Sequence, residues 1–203
     1  MTSIGDHPAD GLSETAGKLL AAAEELVVQQ GITGLSVRKV GDRAGANPAL
    51  VTYHFGGIGA LLETLCAFNL DPMLLAWEGL EGAAAESIDS LLRCWLVPLL
   101  QPAAFTPGGR ALIVLDEIAS HGHGDARQRV MDEMLRCSQR VQALLAPHCP
   151  HLEQGELRAR VRFVSASVLG PPPRIHGAPA TSEGIQLDSP DFLLRFARTA
   201  FAN

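Results

Sequence analysis

Apolar residues recur every three or four positions along most of the chain, and this spacing places them on one face of successive α-helices. A strict alternation of apolar and polar residues, which is typical of half-buried β-strands, is not found in the sequence. The pattern therefore predicts an all-α protein. The predicted helices cover about residues 12–30, 36–44, 47–55, 58–69, 72–81, 85–100, 110–121, 125–145, 153–169 and 189–202.

Residues 36–55 combine two short helical patterns with a tight turn between them. Ser36 is a candidate N-cap, because its hydroxyl can accept a hydrogen bond from a free N–H group of the first helical turn. Gly45 can adopt the left-handed conformation that ends a helix. Asn47 and Pro48 restart a helix, since proline at the first helical position loses no hydrogen bond. The pattern is that of a helix-turn-helix, or equally of an ordinary pair of antiparallel helices.

The second of these helices carries small and polar residues outside its apolar stripe. Ala49, Thr52 and Tyr53 lie off the stripe, and His54 follows near the end. A hydroxyl group can bind a base or a phosphate, and an exposed tyrosine ring can lie against sugars and thymine methyl groups. This composition fits a surface that contacts nucleic acid, and an ordinary helix surface is the alternative.

Five motifs between Thr15 and Leu62 follow one another in a single register: a helix ending in Gly31, Leu35-Ser36-Val37-Arg38, Ala44-Gly45-Ala46, Tyr53-His54-Phe55 and the following helix at Leu61-Leu62. With these motifs the segment resembles the N-terminal DNA-binding domain of TetR/AcrR-type regulators. The resemblance implies a trihelical helix-turn-helix domain at 13–58 and a helical ligand-binding and dimerisation domain at 59–203. Residues 1–12 are predicted to form a flexible tail.

The resemblance also implies a function and its partners. It implies a transcriptional regulator, a repressor that a small-molecule effector releases from a double-stranded DNA operator. A cytoplasmic location is predicted separately, because the sequence shows neither a membrane span nor a secretion signal. The two helix-turn-helix units of a homodimer would enter successive major grooves, about 34–36 Å apart. The residues that match the family's DNA-contact positions are Ser36, Arg38, Asn47, Pro48, Ala49, Thr52, Tyr53 and His54.

One position departs from the family pattern. The family usually has lysine three residues after the aromatic residue that closes the second helix, and this chain has Ile58 there. That lysine typically reaches a phosphate, so its replacement leaves only backbone N–H groups and the helix dipole at this point. An interaction protein that has weakened DNA binding is therefore an open alternative.

Charge and the absence of known motifs bear on two further questions, the strength of DNA binding and whether the chain is an enzyme. The net charge is −6, whereas residues 36–54 carry three basic side chains and one acidic side chain, a local balance of +2. A modest basic patch of this kind leaves part of the affinity for DNA to shape and helix dipoles. The sequence shows no G-x-S-x-G, no glycine-rich phosphate loop and no H-E-x-x-H, so we predict neither an enzyme nor a cofactor.

Metal-ligand residue types cluster at one place, in the segment His148-Cys149-Pro150-His151. His121 and His123 would complete a site if the fold brought them close, and a metal-responsive variant is thus a further alternative. A polar loop between helices is the favoured interpretation, and no metal is predicted. The four cysteines form no C-x-x-C pair and are expected to be reduced thiols.

Several large apolar residues of the C-terminal part could line an effector cavity or simply form the core. On the neighbouring surface, Arg158 and Arg162 share a helical face and could meet an acidic ligand, although a solvated face is the simpler interpretation. The candidate pocket residues are Met73, Trp77, Trp95, Phe105, Ile118, Met131 and Met134.

A homodimer is predicted through the helices at about 153–169 and 189–202. Their apolar residues exceed what a short terminal pair of helices buries by itself: Phe163, Val164, Val168, Leu169, Phe192, Leu193 and Phe196.

No membrane contact is predicted, because no apolar run approaches the ~18 residues of a membrane span. The N-terminus also lacks the pattern of a secretion signal. Residues 170–188, which open with three prolines, are predicted to form a loop.

Overall fold

A computed structural model describes residues 12–169, 181–182, 185–186 and 189–203. Within these residues the chain is built almost entirely from helices, which confirms the predicted all-α fold with its N-terminal helix-turn-helix unit. Residues 1–11 of the predicted tail and most of the predicted loop at 170–188 lie outside the described residues.

The described helices and strands follow the predicted periods, with two corrections given below. The helices are α1 (Glu14–Gln30), α2 (Val37–Ala44), α3 (Ala49–Phe55), α4 (Ile58–Trp77), α5 (Leu80–Glu86), α6 (Ile88–Leu96), α7 (Ala111–His121), α8 (Gly124–Leu145), α9 (Gln154–Ser167) and α10 (Pro190–Phe201). Short 3-10 turns occupy Ile32–Gly34, Val97–Leu100 and Ala146–His148, and two-residue antiparallel strands β1 (Thr181–Ser182) and β2 (Ile185–Gln186) pair inside the predicted loop.

The first correction concerns Pro72, where a new helix was expected to start. α4 instead continues through Pro72, although proline removes one hydrogen bond of the helix interior. Leu70, Met73 and Trp77 are buried at helical spacing on either side of the proline. Burial of this continuous apolar face offsets the local cost of the proline, which is about 3 kcal/mol.

The second correction concerns the helix predicted at 85–100. It is divided at Ser87, which adopts an extended conformation between α5 and α6. The Ser87 hydroxyl accepts a hydrogen bond from the backbone N–H of Ser90 at 3.1 Å and so caps α6. Ser87 is a favourable N-cap residue that the apolar period alone did not reveal.

The chain forms two compact units. The first contains Met1–Asn69 and Pro102–Gln128, and the second contains Leu70–Gln101 and Arg129–Asn203. α4 and α8 each contribute residues to both units. The first unit also contains the beginning of α4, all of α7 and the segment before it, so its limits differ in kind from a single boundary in the sequence. The predicted domain boundary at residue 58 therefore stays a prediction.

In the first unit a fully buried carboxylate joins three parts of the chain. Glu24 of α1 accepts hydrogen bonds from the backbone N–H of Phe105 at 2.6 Å and from the Asn69 side chain of α4 at 2.8 Å. The Asn69 side-chain oxygen accepts from the backbone N–H of Ala104 at 3.2 Å. A buried charge is tolerated when hydrogen bonds satisfy it, so Glu24 fixes α1 to α4 and to the segment that precedes α7.

A second carboxylate joins α7 to the end of α1. Glu117 accepts a hydrogen bond from the backbone N–H of Ile32 at 3.0 Å and lies 3.4 Å from Nδ1 of His121. Ile32 is the first residue of the 3-10 turn that follows α1, and the first N–H groups of a helical segment have no partner within it. The contact therefore fixes α7 to the same helix that packs against α2.

The second unit has its own core. The indole N–H of Trp77 donates to the backbone carbonyl of Trp95 at 3.0 Å, and the Trp95 ring lies 6.5 Å from the Phe201 ring between centroids. All four cysteines are free thiols, as predicted. Burial raises the pKa of the Cys137 thiol to about 12, so this thiol stays protonated at neutral pH.

The stretch Ile58–Glu86, which comprises α4 and α5, contains an 18-residue window with a mean hydropathy of 1.4. By length and composition alone it could cross a membrane, which corrects the prediction that no apolar run approaches that length. Core helices of soluble proteins pass the same test. Asp71 and Glu81 form ion pairs with Arg129 and Arg140 of α8, and such charges favour a core helix with a water-facing side.

Candidate nucleic-acid interface

Local hydrogen bonds set the ends of α2 and the turn that follows it. The Ser36 hydroxyl accepts from the backbone N–H of Lys39 at 3.3 Å, as expected of an N-cap. Gly45 adopts the left-handed conformation with φ of 63°, and the N–H of Ala46 returns to the carbonyl of Gly41 at 2.9 Å. This closure ends α2 and reverses the chain toward α3.

α2 and α3 approach each other most closely at Gly41 and Pro48. A Cβ atom added at Gly41 would lie 2.7 Å from the Pro48 Cα, so no larger residue fits without a shift of the backbone. Sequence reasoning missed this role of Gly41. The signal was available, since a glycine in the middle of an apolar helical period often marks a close approach of two backbones.

Arg43 ties α2 to α1 and is not available to DNA in this arrangement. Its guanidinium group donates to the Glu25 carboxylate at 3.0 Å and to the Gln29 side chain at 3.2 Å. The basic balance predicted for residues 36–54 counted Arg43 as free. Arg43 is paired with Glu25 and Arg38 lies 3.6 Å from the Asp42 carboxylate, so the electrostatic contribution to DNA binding is smaller than the count suggested.

α3 presents one face to solvent and packs the opposite face inside. Val51 is completely buried, whereas Ala49, Thr52 and Tyr53 are exposed, with Tyr53 at 80% of its full exposure. The helical period of 3.6 residues places the three exposed residues within one arc opposite Val51. An aromatic side chain this exposed lacks the burial that would explain it as core, so the face has the shape and chemistry of a contact surface.

Arg38 stands at the solvent side of α2. Its side chain is 88% exposed and lies 3.6 Å from the Asp42 carboxylate one turn later. An exposed pair at this distance contributes little to folding stability. The guanidinium group is therefore free to exchange Asp42 for a phosphate or a base edge at little cost.

The remaining predicted contact residues differ in how much of each side chain is already engaged. The Asn47 side-chain oxygen accepts from the backbone N–H of Ala49 at 3.0 Å and so caps α3. His54 is half-buried and meets the Tyr53 ring edge-on at 5.0 Å between centroids. Pro48 is half-buried against Gly41. Within the protein, Asn47 and Pro48 position α3. Their contacts with DNA stay predictions.

Ile58 is the first residue of α4 and is half-buried. It stands at the helix N-terminus, where backbone N–H groups are free to meet a phosphate. Both interpretations of Ile58 stay open. A half-buried isoleucine can fill a gap between helices, and a longer side chain at the same position can still reach solvent.

The predicted pocket residues fall in both compact units. Phe105 and Ile118 belong to the first unit, where Phe105 packs edge-on against Phe68 at 5.2 Å between ring centroids. In the second unit Trp77 and Trp95 share the hydrogen bond described above, and Met131 is 46% exposed. A common cavity therefore stays a prediction. Met73 is buried and Met134 is half-buried in the second unit.

The residues of the candidate metal cluster engage three separate carbonyl groups. One nitrogen of His148 lies 3.0 Å from the carbonyl of Ala84, and one of His151 lies 3.2 Å from that of Ala202. Cys149 is buried, with its sulfur 3.7 Å from the carbonyl of Phe201. Across the described ranges no three histidine, cysteine, aspartate or glutamate side chains are grouped as metal ligands. This geometry does not support the metal-responsive alternative.

The two short helices α2 and α3, joined by a tight turn and with one face of α3 exposed, define a helix-turn-helix unit. Residues 19–65 match the family described as bacterial regulatory proteins, tetR family. No curated protein matches the chain.

Solved structures show the same fold over nearly the whole chain. The multidrug binding protein EbrR, crystallised with imidazole, is 18% identical over 95% of this chain and 97% of its own, with a TM-score of 0.50. A proposed transcriptional regulator from Pseudomonas aeruginosa PAO1 is 19% identical over 91% of this chain and 87% of its own, with a TM-score of 0.54.

The N-terminal part of the chain, residues 19–65, is therefore similar to the DNA-binding region of the tetR family of transcriptional regulators.

Proposed function

We propose that the chain is a homodimeric repressor that binds a palindromic DNA operator and leaves it when a small-molecule effector binds. The single observation that carries DNA recognition is the exposed face of α3. Ala49, Thr52 and Tyr53 point outward from a helix whose other side is anchored by Val51. Small, hydroxyl and aromatic side chains on one face of a second helix suit base edges in the major groove.

The DNA contacts divide into two kinds in this proposal. Tyr53, Thr52 and Ala49 read base edges and groove walls, and Arg38 binds a base edge or a phosphate beside them. Ser36 and His54 contact phosphates, which orient the protein without carrying sequence information. Because Arg43 is paired with Glu25, the number of phosphates neutralised by each subunit is small. The salt dependence of binding should accordingly be modest for a DNA-binding dimer.

The proposed dimer surface is formed by α9 and α10. The middle of α9 lies near the end of α10, because Arg160 donates to the carbonyl of Ala200 at 2.6 Å. Phe163 follows Arg160 by one turn of α9, and Phe196 precedes Ala200 by one turn of α10. Their exposures are 76% and 45%. Two phenylalanines left exposed along one seam between helices suit a self-complementary apolar interface.

The effector is an unidentified small molecule, and we expect the protein to act in the cytoplasm. In the proposal, effector binding favours a state in which the two helix-turn-helix units no longer match successive major grooves. The fold shared with EbrR, which is a multidrug binding protein, is compatible with a ligand cavity but does not identify its ligand.

The test is DNA binding by the Arg38→Ala and Tyr53→Ala variants, measured by fluorescence anisotropy with the DNA upstream of the gene. Each lost base contact costs about 1–3 kcal/mol. With two copies per dimer, we expect affinity to fall roughly thirtyfold or more, while the folding free energy changes by less than about 0.5 kcal/mol.

Arg136→Ala is the matched control, since Arg136 is an exposed arginine of α8, outside both the α3 face and the proposed dimer surface. It should bind DNA as the unmodified protein does. Variants of Arg38 and Tyr53 that fold normally and retain full affinity would refute the proposed recognition surface. Unfolding of either variant would show instead that the residue supports the core.

A further inference from the structure

A basic groove lies between α6 and α10, two helices that pack together in the second unit. Its volume is about 160 Å³, well below the roughly 300 Å³ at which pockets for drug-sized ligands begin. The occupant must therefore be compact. Six residues line the groove: Asp89, Leu92, Arg93, Leu194, Arg195 and Arg198.

The charges of the groove do not balance. Asp89 of α6 forms an ion pair with Arg198 of α10 and so links the two helices. Arg93 and Arg195 are exposed, and their guanidinium groups make no ion pair or hydrogen bond with any residue that the structure describes. The groove thus carries three arginines and one aspartate in a protein whose net charge is −6. Unpaired like charges around one concavity repel each other, and a bound anion would remove that cost.

We propose that this groove binds a small oxyanion, the carboxylate or phosphate group of a metabolite, through Arg93, Arg195 and Arg198. The guanidinium group offers parallel N–H donors that match the oxygens of both groups. Arg93 comes from α6 and Arg195 from α10, so the anion adds a second bridge beside the Asp89–Arg198 pair. Leu92 is 1% exposed and so offers little apolar surface, and we expect the charged group to supply most of the affinity.

The groove is separate from the proposed dimer seam. On α10, Leu194, Arg195 and Arg198 fall on a different side from Phe196, which follows from the 100° rotation per residue. An occupied groove is thus compatible with a dimer formed through α9 and α10. Binding can be measured on the protein alone, so its failure would leave the proposed DNA recognition untouched.

The test is calorimetric titration of the full chain with inorganic phosphate and, separately, with acetate, against sodium chloride of equal ionic strength. We expect saturable binding of one oxyanion per chain, and the tighter of the two probes identifies the preferred group. The double variant Arg93→Gln/Arg195→Gln should weaken that binding tenfold or more, because each lost charge-assisted hydrogen bond contributes substantially.

The double variant Arg127→Gln/Arg136→Gln is the matched control. It removes the same charge from exposed arginines of α8, outside the groove, and should bind like the unmodified chain. Equal weakening in both double variants, or displacement by chloride at equal concentration, would reduce the effect to general charge and overturn the proposal. The absence of saturable binding of either probe at millimolar concentration would overturn it as well.

Discussion

Tyr53 on α3 and Phe163 on α9 are almost equally exposed, at 80% and 76%, yet their surroundings differ. Tyr53 stands beside Thr52 on a polar face, and the preceding helix carries Arg38, whose side chain is 88% exposed. Phe163 stands beside a seam that also exposes Phe196. Exposure of an aromatic ring therefore indicates a contact surface, and the neighbouring side chains indicate the partner.

The physical reason lies in what each ring requires from its partner. A tyrosine ring among hydroxyl and guanidinium groups can keep its polar edge hydrated or bonded while its face lies on a sugar or a base. A phenylalanine has no polar atom and gains free energy only when another apolar surface covers it. The comparison supports the proposal that the first surface contacts DNA and that the other contacts a second copy of the chain.

Phe163→Glu should produce the largest effect. A charge buried in the proposed seam would weaken dimer formation by 2 kcal/mol or more, which is roughly thirtyfold, because central aromatic residues dominate interface energies. Sedimentation equilibrium would show the shift from dimer to monomer, and operator affinity would fall with it. The fold should be retained, since Phe163 is exposed within the subunit.

Leu75→Glu provides the control for Phe163→Glu, because Leu75 is 68% exposed and lies on α4, away from α9 and α10 in the sequence. It should leave the dimer intact. A Phe163→Glu protein that remains fully dimeric would contradict the proposal that the surface around Phe163 forms the dimer. The dimer surface would then have to lie elsewhere.

Gly41→Ala should damage the DNA surface and spare the dimer. The added Cβ would lie 2.7 Å from the Pro48 Cα, and forced separation of packed backbones costs about 1–3 kcal/mol. Thermal unfolding should show the loss of stability, and anisotropy should show weaker operator binding at unchanged subunit mass. In Gly17→Ala of α1 the added Cβ meets no atom within 4 Å. This variant should instead raise the free energy of unfolding by about 0.5–1 kcal/mol. Equal stability of the two variants would mean that α2 and α3 cross less tightly than described.

Ile58→Lys should produce the smallest effect and sharpen the assignment of DNA to the first surface. If residue 58 lies near a phosphate, lysine adds one contact per subunit and steepens the slope of log K against log salt by ~0.9, hence about 2 for a dimer. Binding should tighten at low salt without a change in the preferred sequence. Ile58→Gln, which adds no charge, should leave the slope unchanged. A folded Ile58→Lys protein with an unchanged slope would contradict the docking geometry expected of the family.

The helix-turn-helix could be predicted from the sequence because its signals are local. Ser36 caps α2, Gly45 takes the left-handed conformation, and Asn47 caps α3 through hydrogen bonds that span two or three residues. Such contacts form wherever the right residue stands next to the right turn, so sequence alone identifies them. Most helices of the remaining chain were predicted in the same way, from apolar periods that need only one buried face.

Other features depended on groups that are distant in the sequence. Pro72 continues α4 because buried residues on both sides outweigh a local penalty, and the pairing of Arg43 with Glu25 depends on α2 packing against α1. Gly41 is constrained by Pro48, and the burial of Glu24 is possible only because Phe105 supplies an N–H group from a separate segment. Local propensity determined where the helices of this protein form. Only the tertiary structure decided which charges are neutralised, which residues are buried and which remain free to bind a partner, because those outcomes depend on contacts between distant segments.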